Sequence, residues 1–393
     1  MTKKKIRALL VLALLSLGLS SLSSCTSVPV VTVEGGSVAG VREGTVLVYK
    51  GVPFAAPPVG ELRGKAPAPV IPWKGTLDCK RFAPAAIQAP FPKEAALYYR
   101  EFYSAGDPPF SEDCLYLNVW TPASALKGGD HDLPVAVWIH GGSLDHGYSY
   151  EVEMDGKAWA ERGVILVTIA YRLGEIGFPA PDRLLGFKDQ IAALRWVKNN
   201  ISAFGGDPSK VTVFGQSAGA ISVKYILADP EGRSLVSGAI LQSGGGISPM
   251  EISLPEGTRG EILRQSVEDG AFDGIPLMVG FTAQDPDLLG RSSTLELADA
   301  LSAREGARVY VYGFYRNLPG EGEGEEDPGA FHSSELWYMF GTLARCWRPF
   351  SQADYLLSER MLEQWTSFAR DADPGYPAYS GPQKHIEILD VPE

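Results

Sequence analysis

The chain has 393 residues, of which 45% are hydrophobic and 21% charged, and it carries a formal charge of −12. That balance suits a folded globular chain and excludes a disordered polymer. The acidity argues against nucleic acid as a partner, because a phosphate backbone is met by lysine and arginine, and against an anionic lipid face.

The first 24 residues stand apart. Lys3, Lys4, Lys5 and Arg7 precede the apolar run ALLVLALLSLGL, and the small-residue stretch LSSC ends at Cys25. A basic start, a short apolar core and small residues before a cut describe an export signal. The run falls short of the roughly 20 residues that a membrane span needs. LSSC resembles a bacterial lipoprotein box, which implies that Cys25 is acylated and anchors the mature chain at the cell envelope. Simple cleavage and release, to the periplasm or outside, is the alternative. Residues 1–24 are thus expected to be a signal peptide, 25–32 a short tether and 33–393 a single domain. Three further cysteines remain, Cys79, Cys114 and Cys346. An oxidising compartment would allow one pair to bridge, and no cysteine spacing suggests a metal site.

In chain order, TVLVYKGVPF (45–54) and LYLNVWTP (115–122) are rich in β-branched and aromatic residues and predict strands. APPVGELRGKAPAPVIPW (56–73) holds too many prolines for a helix and is expected to wrap the surface. Then come apolar runs that read as strands buried on both faces: PVAVWIH (134–140), VILVTIAYR (164–172), KVTVFG (210–215), GAILQS (238–243), IPLMVGF (275–281) and RVYVYGF (308–314). Between them a helix is predicted over 188–201, where Ile191, Leu194, Val197 and Ile201 share one face. GEGEGEED (320–327) reads as a solvated loop. Strand alternating with helix predicts an α/β chain with a mostly parallel central sheet flanked by helices.

One short stretch carries chemistry. VFGQSAGA sets Ser217 inside the pattern Gly-x-Ser-x-Gly, between the KVTVFG strand and the predicted helix AGAISVKYILA. That context puts the serine on a strained strand-to-helix corner at the carboxyl edge of the sheet, where ligands bind in open α/β folds. A serine hydroxyl needs a base, and the base needs an acid to hold its tautomer. Sites built on such a corner run in the order serine, acid, histidine. Of the five histidines, only His332 and His385 follow Ser217. His332, in a loop past the last long strand, is the candidate base, since His385 sits in a polar tail. Asp285 is the first candidate acid and Asp287 the second, both just past the IPLMVGF strand. The N–H of Ala218 and the turn WIHGGS (138–143) are placed to donate to an oxyanion. His140, His146 and Asp145 would lack a fourth ligand for a metal.

These residues resemble a known family. SEDCLYLNVW (111–120) and FGQSAGA (214–220) look like the two signature stretches of type-B carboxylesterases, the family of cholinesterases and para-nitrobenzyl esterases. YKGVPFAAPPVGELRGKAPAP, YRLGEIGF, DQIAALRWVKNNISAFGGDPSKVTVFG, AILQSG, GAFHSSELWYMFG and EQWTSFARDADP match it in order, across about residues 33 to 380. The resemblance implies an α/β-hydrolase fold with antiparallel strands at its start, and ester hydrolysis through an acyl-enzyme. It makes Ser217 the nucleophile, His332 the base and Asp285 the acid, with Gly142, Ser143 and Ala218 at the oxyanion hole. It gives Ser243 a supporting place behind the triad. It also implies two buried ion pairs, Arg63 with Glu112 and Arg172 with Asp189. The implied partners are a small ester and water, with no cofactor and no metal, and a membrane enters through Cys25 alone.

The chain also departs from that pattern. The family acid is glutamate followed by glycine, where Asp285 precedes Pro286. Ser143 replaces a glycine, and Cys114 lacks its usual partner near Ala86. The spans from Ser217 to Asp285 and from Asp285 to His332 are shorter than the family norm, which implies a reduced lid, an open and shallow site and broad specificity. The alternative from another class is a catalytically inactive, cholinesterase-like binding or adhesion protein.

Overall fold

A strand that is apolar at every position has no face to give to water, so it is stable only with layers on both sides. The computed structural model, which describes residues 29–126, 131–180, 183–247, 260–320, 329–380 and 383–391, builds ten strands into one sheet. They are β1 (Val41–Glu43), β2 (Val46–Pro53), β3 (Tyr116–Pro122), β4 (Leu133–Ile139) and β5 (Ile165–Ile169). They continue with β6 (Gly206–Gln216), β7 (Gly238–Gln242), β8 (Leu277–Thr282), β9 (Val309–Phe314) and β10 (Ile386–Leu389). The order across the sheet is β10-β9-β8-β7-β6-β4-β5-β3-β2-β1. From β10 to β5 neighbours run parallel, and β3, β2 and β1 extend the sheet antiparallel. This is the α/β-hydrolase arrangement expected above.

Five longer helices cover the sheet: α1 (Leu185–Asn200), α2 (Ala218–Ala228), α3 (Gly260–Glu268), α4 (Arg291–Ser302) and α5 (Gln352–Asp371). The period-two alternation of the strands assigns each side chain to a layer. Val135, Val137 and Ile139 of β4 join a core with residues of α1, α2 and α4. Ala136 and Trp138 join another with Trp159 and with Met361, Trp365 and Phe368 of α5. Among the described residues no helix is long and apolar enough to cross a membrane.

The strand order places the site. After β4 the chain goes to β5 on one side, and β6, on the other side of β4, leads away to β7. The connections therefore diverge at the carboxyl ends of β4 and β6, which opens a crevice there.

Several expectations need correction. Val30–Val33 pairs with Gly36–Ala39, which pairs in turn with Thr76–Asp78, so regular structure begins inside the tether expected over 25–32. The reason is local, because Val31 and Val33 alternate inward onto the core. The bridge left open above does not form, as Cys79, Cys114 and Cys346 are all free thiols. The Arg63–Glu112 pair forms at 2.6 Å but is not buried, as the Arg63 side chain is 64% exposed. Arg172 and Asp189 are buried as expected. Two guanidinium bonds of 2.7 and 2.8 Å reach the carboxylate, and a third goes to the Lys65 carbonyl. The signal stretch, Cys25 and nearly all of the acidic loop expected over 320–327 lie outside the described residues.

Candidate active site

The corner after β6 is built from close backbone approach. Ser217 has φ 56° and ψ −124°, a sparsely populated conformation that costs about 1–3 kcal/mol. The neighbouring layers hold it there. Its N–H donates to the Gln242 carbonyl at the end of β7, and its own carbonyl accepts from Ile221 in α2. At Gly219 a methyl group would lie 2.1 Å from the Ile139 carbonyl oxygen of β4, so only glycine lets α2 start this close to the sheet. Ala218 opens α2 directly after Ser217, and first-turn N–H groups have no partner within the helix and carry the positive end of its dipole.

The turn after β4 supplies further donors. Gly142 has φ 88°, and a side chain there would collide with the His146 carbonyl. Ser143 and Leu144 follow at φ 55° and 65°, two strained residues in succession. Among the described residues, neither Gly142 N–H nor Ser143 N–H meets a backbone or side-chain acceptor in the protein, so both remain available. His140 lies beneath this turn, buried and stacked on Tyr171 at 4.4 Å. Burial lowers its pKa to about 3, so it is neutral. His146 is paired with Asp145.

The candidate base and acid arrive on two loops. Gln284 after β8 and Phe331 after β9 are bridged in parallel, with the Gln284 N–H donating to the Ala330 carbonyl. That pairing sets Asp285 beside His332, whose Nδ1 lies 2.5 Å from Asp285 Oδ1. The other carboxylate oxygen accepts from the Thr282 N–H at 2.8 Å. This bond pulls the short aspartate back over its own strand end. Asp285 thus meets His332 although the resemblance pointed to the longer glutamate at this position. Asp287, the second candidate, is exposed and does not meet the histidine.

With Nδ1–H donated to Asp285, the Nε2 of neutral His332 is an acceptor. Here it faces the Gln216 amide nitrogen at 3.1 Å. Among the described residues the Ser217 hydroxyl makes no hydrogen bond to His332. Ser217, His332, Gly142 and Ser143 nevertheless line one cleft of about 990 Å³, at the top of the usual range for small-molecule sites. Ser243 departs from expectation. Its hydroxyl is buried just past β7 and bonds to no protein group among the described residues.

The sequence reading missed two things. One is the role of Gln216, hidden because it is the variable residue of the Gly-x-Ser-x-Gly pattern. The other is the aromatic wall. Phe91, Tyr98, Phe102 and Tyr103 line the cleft, and the Tyr98 hydroxyl donates to the His332 carbonyl at 3.0 Å. Buried Glu101 pins this wall to the body by accepting from Arg348, Trp337 and Trp347. The repeated aromatics in LYYREFY were a usable signal.

A strained serine on a strand-to-helix corner after β6, with a buried carboxylate after β8 and a histidine after β9, is the arrangement of an α/β-hydrolase. A sequence model of the carboxylesterase family matches residues 27–268 and 282–389, and the chain belongs to that family. It is 44% identical over 228 residues to a fumonisin B1 esterase of Sphingopyxis macrogoltabida, covering 55% of this chain and 40% of that one. It is 39% identical over 279 residues to the para-nitrobenzyl esterase of Bacillus subtilis (strain 168), covering 69% and 54%. The chain thus spans about half the length of the curated relatives it matches. Among solved structures, a PNB esterase superposes with a TM-score of 0.78 at 29% identity, over 93% of this chain and 96% of that one. A carboxylesterase of Geobacillus stearothermophilus gives 0.73 at 28%, over 92% and 96%.

Proposed function

We propose that this chain hydrolyses carboxylic esters through an acyl-enzyme on Ser217. The observation that carries the reading is the His332–Asp285 pair at 2.5 Å, opening on the same cleft as the strained Ser217. Asp285 holds His332 with its proton on Nδ1, which leaves Nε2 free to take the Ser217 proton once Gln216 gives way. The serine oxygen attacks the ester carbonyl, and the N–H groups of Gly142, Ser143 and Ala218 receive the oxyanion. His332 then protonates the leaving alcohol, and water repeats the cycle on the acyl group. The size of the cleft and the shortened connections support bulky esters and broad acyl tolerance.

Fluorophosphonate labelling tests the reading. The folded chain should gain one adduct, on the peptide containing Ser217, and should release chromophore from para-nitrophenyl esters of several lengths. A folded chain that takes no adduct there is the inactive binding protein instead. Steep selectivity for one acyl length would remove the broad-specificity part. Anchoring through Cys25 belongs to the same proposal, and Cys25→Ala should abolish labelled palmitate incorporation.

A further inference from the structure

The cleft holds a second set of ionisable groups that ester cleavage does not use. Its charged lining consists of Asp145, Glu151, Glu153 and Glu175, and among the described residues no lysine or arginine lines it. Asp145 and Glu175 are exposed, whereas Glu151 and Glu153 are buried. Glu151 is provided for, since its Oε1 accepts from the Tyr148 N–H and the Tyr103 hydroxyl, both at 3.0 Å. Glu153 is not. It is fully buried, yet neither of its oxygens has a well-formed hydrogen bond, and the one N–H near them is its own. The group that faces it is the Glu151 carboxyl.

Two buried carboxyls close together, only one of which receives well-formed donors, cannot both be anions, so one proton must be shared. Burial raises both groups, and the Glu151 charge pushes Glu153 well above the ordinary range. The other titratable groups around the pair do not neutralise it. Glu101 adds a further negative charge but is itself matched by Arg348. Tyr103 and Tyr148 are held un-ionised, since burial raises both. His140 is neutral, and His146 is committed to Asp145. Phe91 stacks on Tyr103 at 4.0 Å, and both rings line the same cleft. Carboxylates beside aromatic faces are the chemistry that recognises an organic cation.

We propose that Glu151 and Glu153 form a cation subsite of this cleft, and that its preferred esters carry a protonated amine whose ammonium displaces the shared proton. The exchange balances: one ammonium enters, one proton leaves to solvent, and both carboxylates are then anions paired with the cation. The word ester rests on the hydrolase reading above, whereas the binding does not.

Calorimetry on the full chain separates the two. At neutral pH n-hexylammonium should bind at least about tenfold more tightly than n-hexanol. Titration in buffers of different ionisation enthalpy should show close to one proton released per cation bound. Glu153→Gln should lose both the preference and the proton release. Equal affinity for amine and alcohol, binding without proton release, or an unchanged preference in Glu153→Gln would each overturn the subsite. If Glu153→Gln does not fold, proton release by the unmodified chain decides alone. Two matched pairs then locate the amine: para-nitrophenyl ε-aminohexanoate against the heptanoate, and ω-aminohexyl acetate against heptyl acetate. An amine advantage in kcat/KM in the first pair puts the subsite on the acyl side, and in the second on the alcohol side. Hydrolysis with no advantage in either pair sinks the substrate claim. Cation binding with no hydrolysis of any ester sinks the hydrolase reading and leaves the subsite standing.

Discussion

The two banks of the cleft are held in different ways. On the sheet bank, Ser217 stands at the end of β6 and the turn through Gly142 just past β4, and close backbone contacts hold both. On the loop bank, Asp285 and His332 stand on segments beyond β8 and β9, joined by the Gln284–Ala330 hydrogen bond and their own contact. Sheet sterics alone can preorganise a nucleophile and its donors. A base on a loop needs an electrostatic partner to keep its tautomer and its place.

The largest effects should separate the banks. Ser217→Ala, which leaves the corner intact, should lower kcat on the order of 10⁶-fold in a chromogenic ester assay with melting unchanged. Asp285→Asn should cost about 10⁴, because the amide no longer fixes the proton on His332 Nδ1. Retained activity in Asp285→Asn would mean that the loop bank is held by packing and not by charge. Gly219→Ala strikes the sheet bank through sterics. The added methyl meets a backbone oxygen that cannot move without β4, so the loss should be about 3 kcal/mol by urea unfolding. Wild-type stability in Gly219→Ala would show that the corner yields, and the contrast between the banks would collapse.

Much of the sheet bank could be read from the sequence, for the same reason that it is rigid. Glycines at 215 and 219 flanking a serine, placed after KVTVFG, are a local pattern with a local cause. The long strands were equally plain, because runs such as PVAVWIH are apolar on both faces. β10 escaped, since Ile386–Leu389 is four residues long and only partly buried. α5 escaped although Leu357, Met361, Trp365 and Phe368 repeat at helical spacing, so that signal was present and unused. On the loop bank His332 and Asp285 could be placed by their distance past a strand end. The acceptor of Gln216 and the Glu151–Glu153 pair could not, and of the wall over 91–103 only the aromatic repeat LYYREFY showed. The Gln216–His332 contact joins segments far apart in the chain, and the Glu151–Glu153 pair, though adjacent in sequence, is buried by distant segments such as the one carrying Tyr103, so no local periodicity encodes either.

The smallest effect probes what lies behind the loop bank. Glu335, three residues beyond His332, is fully buried, and its Oε1 accepts from the Gln242 amide at 3.2 Å while Oε2 has no partner. Burial first, and then the Asp285 charge, raise it from an ordinary 4.5 to about 7. Between those values the folded chain holds a proton there that the unfolded chain has released, so this group makes stability fall as pH rises through that window. Glu335→Gln cannot titrate. Its unfolding free energy relative to wild type should therefore increase by about 1–3 kcal/mol between pH 4.5 and pH 8, measured by urea at both. Glu151 and Glu153 shift the same way but are present in both proteins and cancel. A gap that stays flat with pH would mean that Glu335 is ionised beside Asp285 throughout. The loop bank would then set two anions against one imidazole, and Asp285 would no longer be the sole charge holding His332.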